Sequence, residues 1–166
     1  MRHTLTILVE NESGVLSRVA GLFSGRGFNI ESLTVAETLE PDTSRMTIVT
    51  HGNDQIIEQI IKQLHKLINT IKVTDLTGED FIEREMVMIK VSASEPNARA
   101  EVLRLVEVFR AKVIDVSPRS FTLELTGNES KVTAFIEMLK PMGIKDFVRT
   151  GKVVLQRGNK AAKSKE

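Results

Sequence analysis

Apolar positions in the first half of the chain switch between two periods. Thr4 to Val9 is a β-rich run, after which Val15, Leu16, Val19, Ala20 and Phe23 recur on one helical face until Gly25 and Gly27 stop it. Asn29 to Leu39 reads as a second strand, Glu40-Pro41-Asp42-Thr43 as a turn, and Arg45 to His51 as the returning strand of a hairpin. Ile57, Ile60, Ile61, Leu64, Leu67 and Ile68 follow the i, i+3, i+4, i+7 rule of an amphipathic helix, and Thr70 to Leu76 closes the unit. The order is β-α-β-β-α-β, the ferredoxin-like arrangement of two helices on one face of an antiparallel sheet.

Gly78-Glu79-Asp80 interrupts the pattern, and the same order then returns with different residues. Met86 to Val91 is a strand; Val102, Leu105, Val106 and Phe109 line a helix. Strands at Val113 to Val116 and Phe121 to Leu125 flank Ser117-Pro118-Arg119. Val132, Phe135, Ile136 and Leu139 line a further helix, ended by Pro141 and Gly143, and Phe147 to Leu155 supplies the last strand. The expected fold class is α+β, with two ferredoxin-like βαββαβ domains over residues 1–78 and 79–158 and a basic solubilising tail at 159–166.

Between the first strand and first helix lies Glu10-Asn11-Glu12-Ser13-Gly14, a turn of small polar residues. The first amides of a helix lack intrahelical partners and carry the positive end of its dipole, so they hold a carboxylate or another small anion well. Gly14 would let a ligand approach the backbone closely. The competing structural explanation is that Asn11 or Ser13 caps the helix. The second half has Ser94-Glu95-Pro96-Asn97 at the matching place, a capped start with proline near the first turn, and is assigned a different role.

Composition removes several function classes. Cysteine is absent, which excludes disulfide scaffolds, thiolate metal sites and cysteine nucleophiles. His3, His51 and His65 are the only histidines and none stands at i+3 or i+4 to another, so a zinc site is not expected. Gly25-Arg26-Gly27 follows a helix and precedes a strand, the reverse of a dinucleotide fingerprint, and Ser13 does not sit in a nucleophile elbow. Glu58, Glu101 and Glu107 fall on the solvent faces of helices.

No apolar run approaches the roughly 20 residues of a membrane span and the chain begins without a secretory signal, so no membrane is expected and the chain reads as cytoplasmic. The same β-α-β-β-α-β order describes RNA-binding sheets, which stack bases on aromatic residues of their central strands. The candidate central strands here, Leu5 to Val9 and Met46 to Thr50, have none, and the formal charge is only +1, so nucleic acid is not expected. Small sheets with open edges pair or are covered, which favours a homodimer with sheets side by side.

The run from Val9 to Val35, Val-Glu-Asn-Glu-Ser-Gly-Val-Leu-Ser-Arg-Val-Ala-Gly-Leu-Phe-Ser-Gly-Arg-Gly-Phe-Asn-Ile-Glu-Ser-Leu-Thr-Val, resembles the signature of ACT domains, the amino-acid-sensing modules of metabolic enzymes. Asn29-Ile-Glu-Ser-Leu-Thr-Val-Ala, Ser44-Arg-Met-Thr-Ile-Val and Gln59-Ile-Ile-Lys-Gln-Leu-His-Lys-Leu are similar to the regulatory small subunits of acetohydroxyacid (acetolactate) synthase. The likeness continues through Glu83-Arg-Glu-Met and Ile114-Asp-Val-Ser-Pro to Ser120, and so covers nearly the whole chain.

That resemblance implies a chain that does no chemistry itself and carries no cofactor. Its partner would be a large catalytic subunit that uses thiamine diphosphate, magnesium and FAD to condense pyruvate with a second 2-keto acid, on the route to branched-chain amino acids. The small subunit would raise that activity and confer feedback inhibition by valine. In the family the effector lies between the strand-helix turn of one ACT domain and residues of its neighbour. Carried over here, that implicates Asn11, Gly14, Val15 and Leu16 in the turn, and Asn29 and Ile30 at the start of the second strand.

Valine needs donors for its carboxylate, acceptors for its ammonium and an apolar hollow. The amides of Gly14 to Leu16 suit the first, carbonyls and the oxygens of Asn11 and Asn29 the second, and Val15, Leu16, Ile30 or Val35 the third. A free-standing amino-acid-responsive regulator of another enzyme or of transcription is the alternative, but no helix-turn-helix segment remains once both halves are assigned.

Overall fold

The computed structural model describes residues 1–158. The first repeat comprises β1 (Arg2–Glu10), α1 (Val15–Ser24), β2 (Ile30–Glu37), β3 (Thr43–His51), α2 (Asp54–Leu64) and β4 (Thr70–Asp75). Its sheet has the order β2-β3-β1-β4, antiparallel throughout, so the two central strands are the aromatic-free ones anticipated from the sequence. Alternation along β1 sends Leu5, Ile7 and Val9 to the helical side, where they meet Met46 and Ile48 of β3, Val15, Val19 and Phe23 of α1, and Ile57, Ile60 and Leu64 of α2. Each such side chain contributes about 1.5–3 kcal/mol on burial.

Asn53 caps α2, its Oδ1 accepting from Ile56 N–H at 2.9 Å. On the wet face Lys62 pairs with Glu58 at 2.7 Å, which holds that carboxyl below its usual range. The apolar stripe predicted a helix reaching Ile68, but α2 ends at Leu64. The bonds from Lys66 N–H to Gln63 C=O and from Leu67 N–H to Leu64 C=O tighten to an i−3 pattern as the chain turns toward β4, which leaves Ile68 fully exposed.

The second repeat comprises β5 (Phe81–Ser92), α3 (Pro96–Phe109), β6 (Lys112–Ser117), β7 (Ser120–Gly127), α4 (Glu129–Leu139), a 3-10 turn at Lys140–Met142, β8 (Ile144–Arg149) and β9 (Val153–Gln156). The sheet order is β6-β7-β5-β8, with β9 also pairing β5. Val87, Ile89 and Val91 face Leu123 and Leu125 of β7, Val102 and Leu105 of α3, and Val132, Phe135 and Leu139 of α4. Arg99 pins the β6–β7 hairpin, donating to the carbonyls of Ala93 and Ser117 at 3.0 Å each while its guanidinium lies 4.2 Å over the Phe121 ring.

One compact unit takes in Met1–Ile82 and the described residues from Val153 onward; the other is Glu83–Lys152. The sequence placed Phe147 to Leu155 in a single strand. Instead β8 stops at Arg149 and β9 starts at Val153, with Gly151 at φ +83° between them. Buried Lys152 anchors this break to Glu83 at 3.0 Å and to Glu129 at the start of α4. Arg149 donates to Glu85, whose side chain is almost wholly buried, at 2.7 Å. Beyond the break, Arg157 N–H donates to Asp80 C=O at 3.2 Å, so β9 belongs with the first unit. The basic tail anticipated at 159–166 lies outside the described residues.

Phe135 is fully buried between α4 and its sheet, so Phe135→Ala should cost the second unit about 3–5 kcal/mol in urea unfolding followed by circular dichroism. A loss under about 1 kcal/mol would contradict this core assignment.

Candidate effector site

Gly14, with φ +83°, is the N-cap of α1, and no side chain caps the helix. Neither Asn11 nor Ser13 does what Asn53 and Asn128 do for α2 and α4. The positive φ explains the glycine, because the left-handed region costs an ordinary residue roughly 1–2 kcal/mol. Val15 N–H makes a long bond of 3.4 Å to Glu12 C=O, and the first helical bond runs from Arg18 N–H to Gly14 C=O at 3.0 Å. The N–H groups of Leu16 and Ser17 have no acceptor among the described residues. An uncapped helix start of this kind presents donors and a positive dipole end to an incoming anion.

Asn11 does something else. Its Nδ2 donates to Pro41 C=O at 2.8 Å and to Glu37 Oε2 at 3.3 Å, while its backbone N–H donates to Asp42 C=O at 2.7 Å. The β2–β3 turn is thereby tied to the β1–α1 turn. Leu16 is 41% exposed beside the open amides, and Leu39 at the tip of the β2–β3 turn is fully exposed. Val15 points the other way, into the core, so it offers its backbone rather than a wall.

Asn29 and Ile30 lie elsewhere. Asn29 is exposed and its C=O accepts from Thr50 Oγ1 at 2.7 Å; Ile30 pairs with Thr50 and packs partly on the core. Glu10, at the other end of the sheet, pairs with Thr43. The stretch of β3 from Thr43 to Thr50 separates these ends by about 23 Å at ~3.3 Å per residue. Within one chain the six candidate residues therefore form two groups, Asn11, Gly14, Val15 and Leu16 at one end and Asn29 and Ile30 at the other.

Sequence reasoning missed Asn69, which is 8% exposed and sits in the loop before β4. Its Nδ2 donates to Glu10 Oε2 at 2.7 Å and Glu12 Oε2 at 3.1 Å, its Oδ1 accepts from Arg18 Nη1 at 2.6 Å, and its C=O accepts from Glu10 N–H at 2.9 Å. An asparagine ahead of a strand reads as a turn former, and its only outward sign is a polar residue where the apolar stripe of α2 runs out.

An ACT domain joined to a second ferredoxin-like unit is the class this fold and uncapped turn define, and comparison with known proteins agrees. Residues 5–72 match the family model for the acetohydroxyacid synthase small subunit-like ACT domain, and residues 84–158 match that for the small subunit of acetolactate synthase. The chain belongs to the acetolactate synthase small subunit family. It is 56% identical to the probable acetolactate synthase small subunit of Archaeoglobus fulgidus over 96% of this chain and 99% of that one. It is 54% identical to the acetolactate synthase small subunit of Aquifex aeolicus over 94% of this chain and 81% of that one. The crystal structure of the small subunit from Thermotoga maritima superposes with a TM-score of 0.85 at 44% identity, over 96% of this chain and 99% of that chain. Membership of a small-subunit family implies a large catalytic subunit as partner.

A Cβ added at Gly14 would meet nothing within 4 Å, so Gly14→Ala isolates backbone strain from clash. It should lower stability by about 1–2 kcal/mol in urea unfolding. Unchanged stability would mean that the turn relaxes out of the left-handed conformation.

Proposed function

We propose that this chain activates the thiamine diphosphate-dependent catalytic subunit of acetohydroxyacid synthase and transmits feedback inhibition by valine to it. The uncapped start of α1, held open by Gly14 at φ +83°, carries this reading. The effector carboxylate takes the N–H groups of Leu16 and Ser17. Its ammonium takes Asn11 Oδ1 and backbone carbonyls, and its isopropyl group lies against Leu16. Thiamine diphosphate, magnesium and FAD reside in the catalytic partner. This chain is non-catalytic and acts in the cytoplasm. Residues 1–78 sense effector and dimerise, and residues 79–158 relay the signal.

The separation of Asn29 and Ile30 from the turn argues for a homodimeric site. β2 is an edge strand, and antiparallel pairing of two β2 edges about a two-fold axis brings the Ile30 end of one copy to the Glu37 end of the other. Asn29 and Ile30 of one protomer then complete the turn of its partner. A lysine on that edge should interfere, so Val35→Lys, at a position already 40% exposed, should give a monomer in sedimentation and lose valine response. A fully dimeric variant would place the interface elsewhere.

The effector reading is tested by Gly14→Asp. Aspartate tolerates the left-handed conformation better than most residues, but it places a carboxylate beside that of valine. In acetolactate formation by the reconstituted pair, the midpoint of valine inhibition should rise at least tenfold, or ~1.4 kcal/mol, with activation retained. An unchanged midpoint would remove the turn from the site.

A further inference from the structure

We propose that Asn69 is the positioning residue of the effector turn: it touches no ligand, yet the valine affinity of the turn depends on its side-chain amide. The proposal rests on the effector reading above. Asn69 is buried, and four hydrogen bonds converge on it from three segments, the end of β1, the Glu12 turn and the second turn of α1.

The polarity of this arrangement is specific. Nδ2 has two hydrogens and spends them on two carboxylates, Glu10 and Glu12, which would otherwise repel each other within a three-residue stretch. Oδ1 takes the guanidinium of Arg18, whose backbone N–H makes the first helical bond to Gly14 C=O. One amide thus draws Glu12 and Arg18, on either side of Gly14, toward the same buried point, and fixes the angle at which the amides of Leu16 and Ser17 face outward. The loop leading from α2 into β4 is coupled by the same group to the start of α1.

No other side chain of similar size does this. Aspartate lacks the donors and adds a third carboxylate, leucine lacks both functions, and serine is too short to span Glu10, Glu12 and Arg18 together. A donor-acceptor exchange isolates the role from bulk. Asn69→Asp keeps the shape and the acceptor for Arg18 but sets a carboxylate against Glu10 and Glu12. Adding Glu10→Gln restores a hydrogen bond at the same place with donor and acceptor reversed.

The test uses the full chain, with valine as the probe in calorimetry, and with circular dichroism and sedimentation as controls. At pH 8, Asn69→Asp should weaken valine binding at least tenfold while leaving secondary structure and oligomeric mass as in the wild type, and Asn69→Asp with Glu10→Gln should recover most of the lost affinity. Wild-type affinity in Asn69→Asp would overturn the proposal. So would a double variant whose melting temperature recovers while its affinity does not, because the restored contact to Glu10 would then support the fold without setting the affinity of the turn. If Asn69→Asp proves unfolded, Arg18→Met is read instead: it removes one arm of the clamp from an exposed position, and unaltered valine affinity there would equally overturn the proposal. Failure of the wild-type chain to bind valine at all would refute the effector reading itself, and this proposal with it.

Discussion

The antiparallel register of β1, β2 and β3 is the constraint on which the rest of the first unit depends. Glu10 pairs with Thr43 and Ile30 with Thr50, so the exit from β1 and the entry to β2 stand at opposite ends of one sheet. Side-chain alternation fixes this register, since a slip of one residue would turn Leu5, Ile7 and Val9 away from the helices. The core therefore dictates where the loops lie, and the loops dictate what a ligand can reach. A ligand the size of valine cannot span about 23 Å, and the proposed site draws on two chains for that reason.

At the candidate effector end, two asparagines with opposite tasks shape the turn. Asn11, exposed, binds outward to the carbonyl of Pro41 and so ties the β2–β3 turn in place. Asn69, buried, binds inward to Glu10, Glu12 and Arg18. Between them Gly14 takes a left-handed conformation that leaves α1 without a side-chain cap, unlike α2 and α4. The missing cap weakens the helix start by something on the order of 1 kcal/mol and leaves donors free for a ligand.

Much of the architecture was legible in the pattern of apolar residues, because each stripe is the buried face of one element. β1, α1, β3, α3 and α4 follow their predicted runs within a few residues. Three errors share a cause, which is that periodicity registers burial and not hydrogen bonding. The stripe through Leu67 and Ile68 outlasted α2 because Leu67 still packs on the core from a turn. The run from Phe147 to Leu155 concealed Gly151, whose positive φ splits it into two strands. β5 begins at Phe81 rather than Met86, because the charged run Glu83-Arg84-Glu85 hides its first residues from a reading keyed to the apolar stretch that starts at Met86. At the candidate site, glycine at a strand-helix junction announced Gly14, but Asn69 makes long-range contacts that no local pattern encodes.

A mixing experiment tests most directly whether one effector site takes its turn from one chain and Asn29 from another. Gly14→Asp and Asn29→Ala chains, each of which the proposed site makes deficient in valine binding, are combined under conditions that exchange subunits. Each mixed dimer then holds one intact site, built from the turn of the Asn29→Ala chain and the Asn29 of the Gly14→Asp chain. Calorimetry should recover binding at wild-type affinity with about a quarter of the wild-type stoichiometry, since about half of the dimers are mixed and each has one of its two sites intact. An exchanged mixture that binds no more valine than its parents would contradict a site shared between two chains.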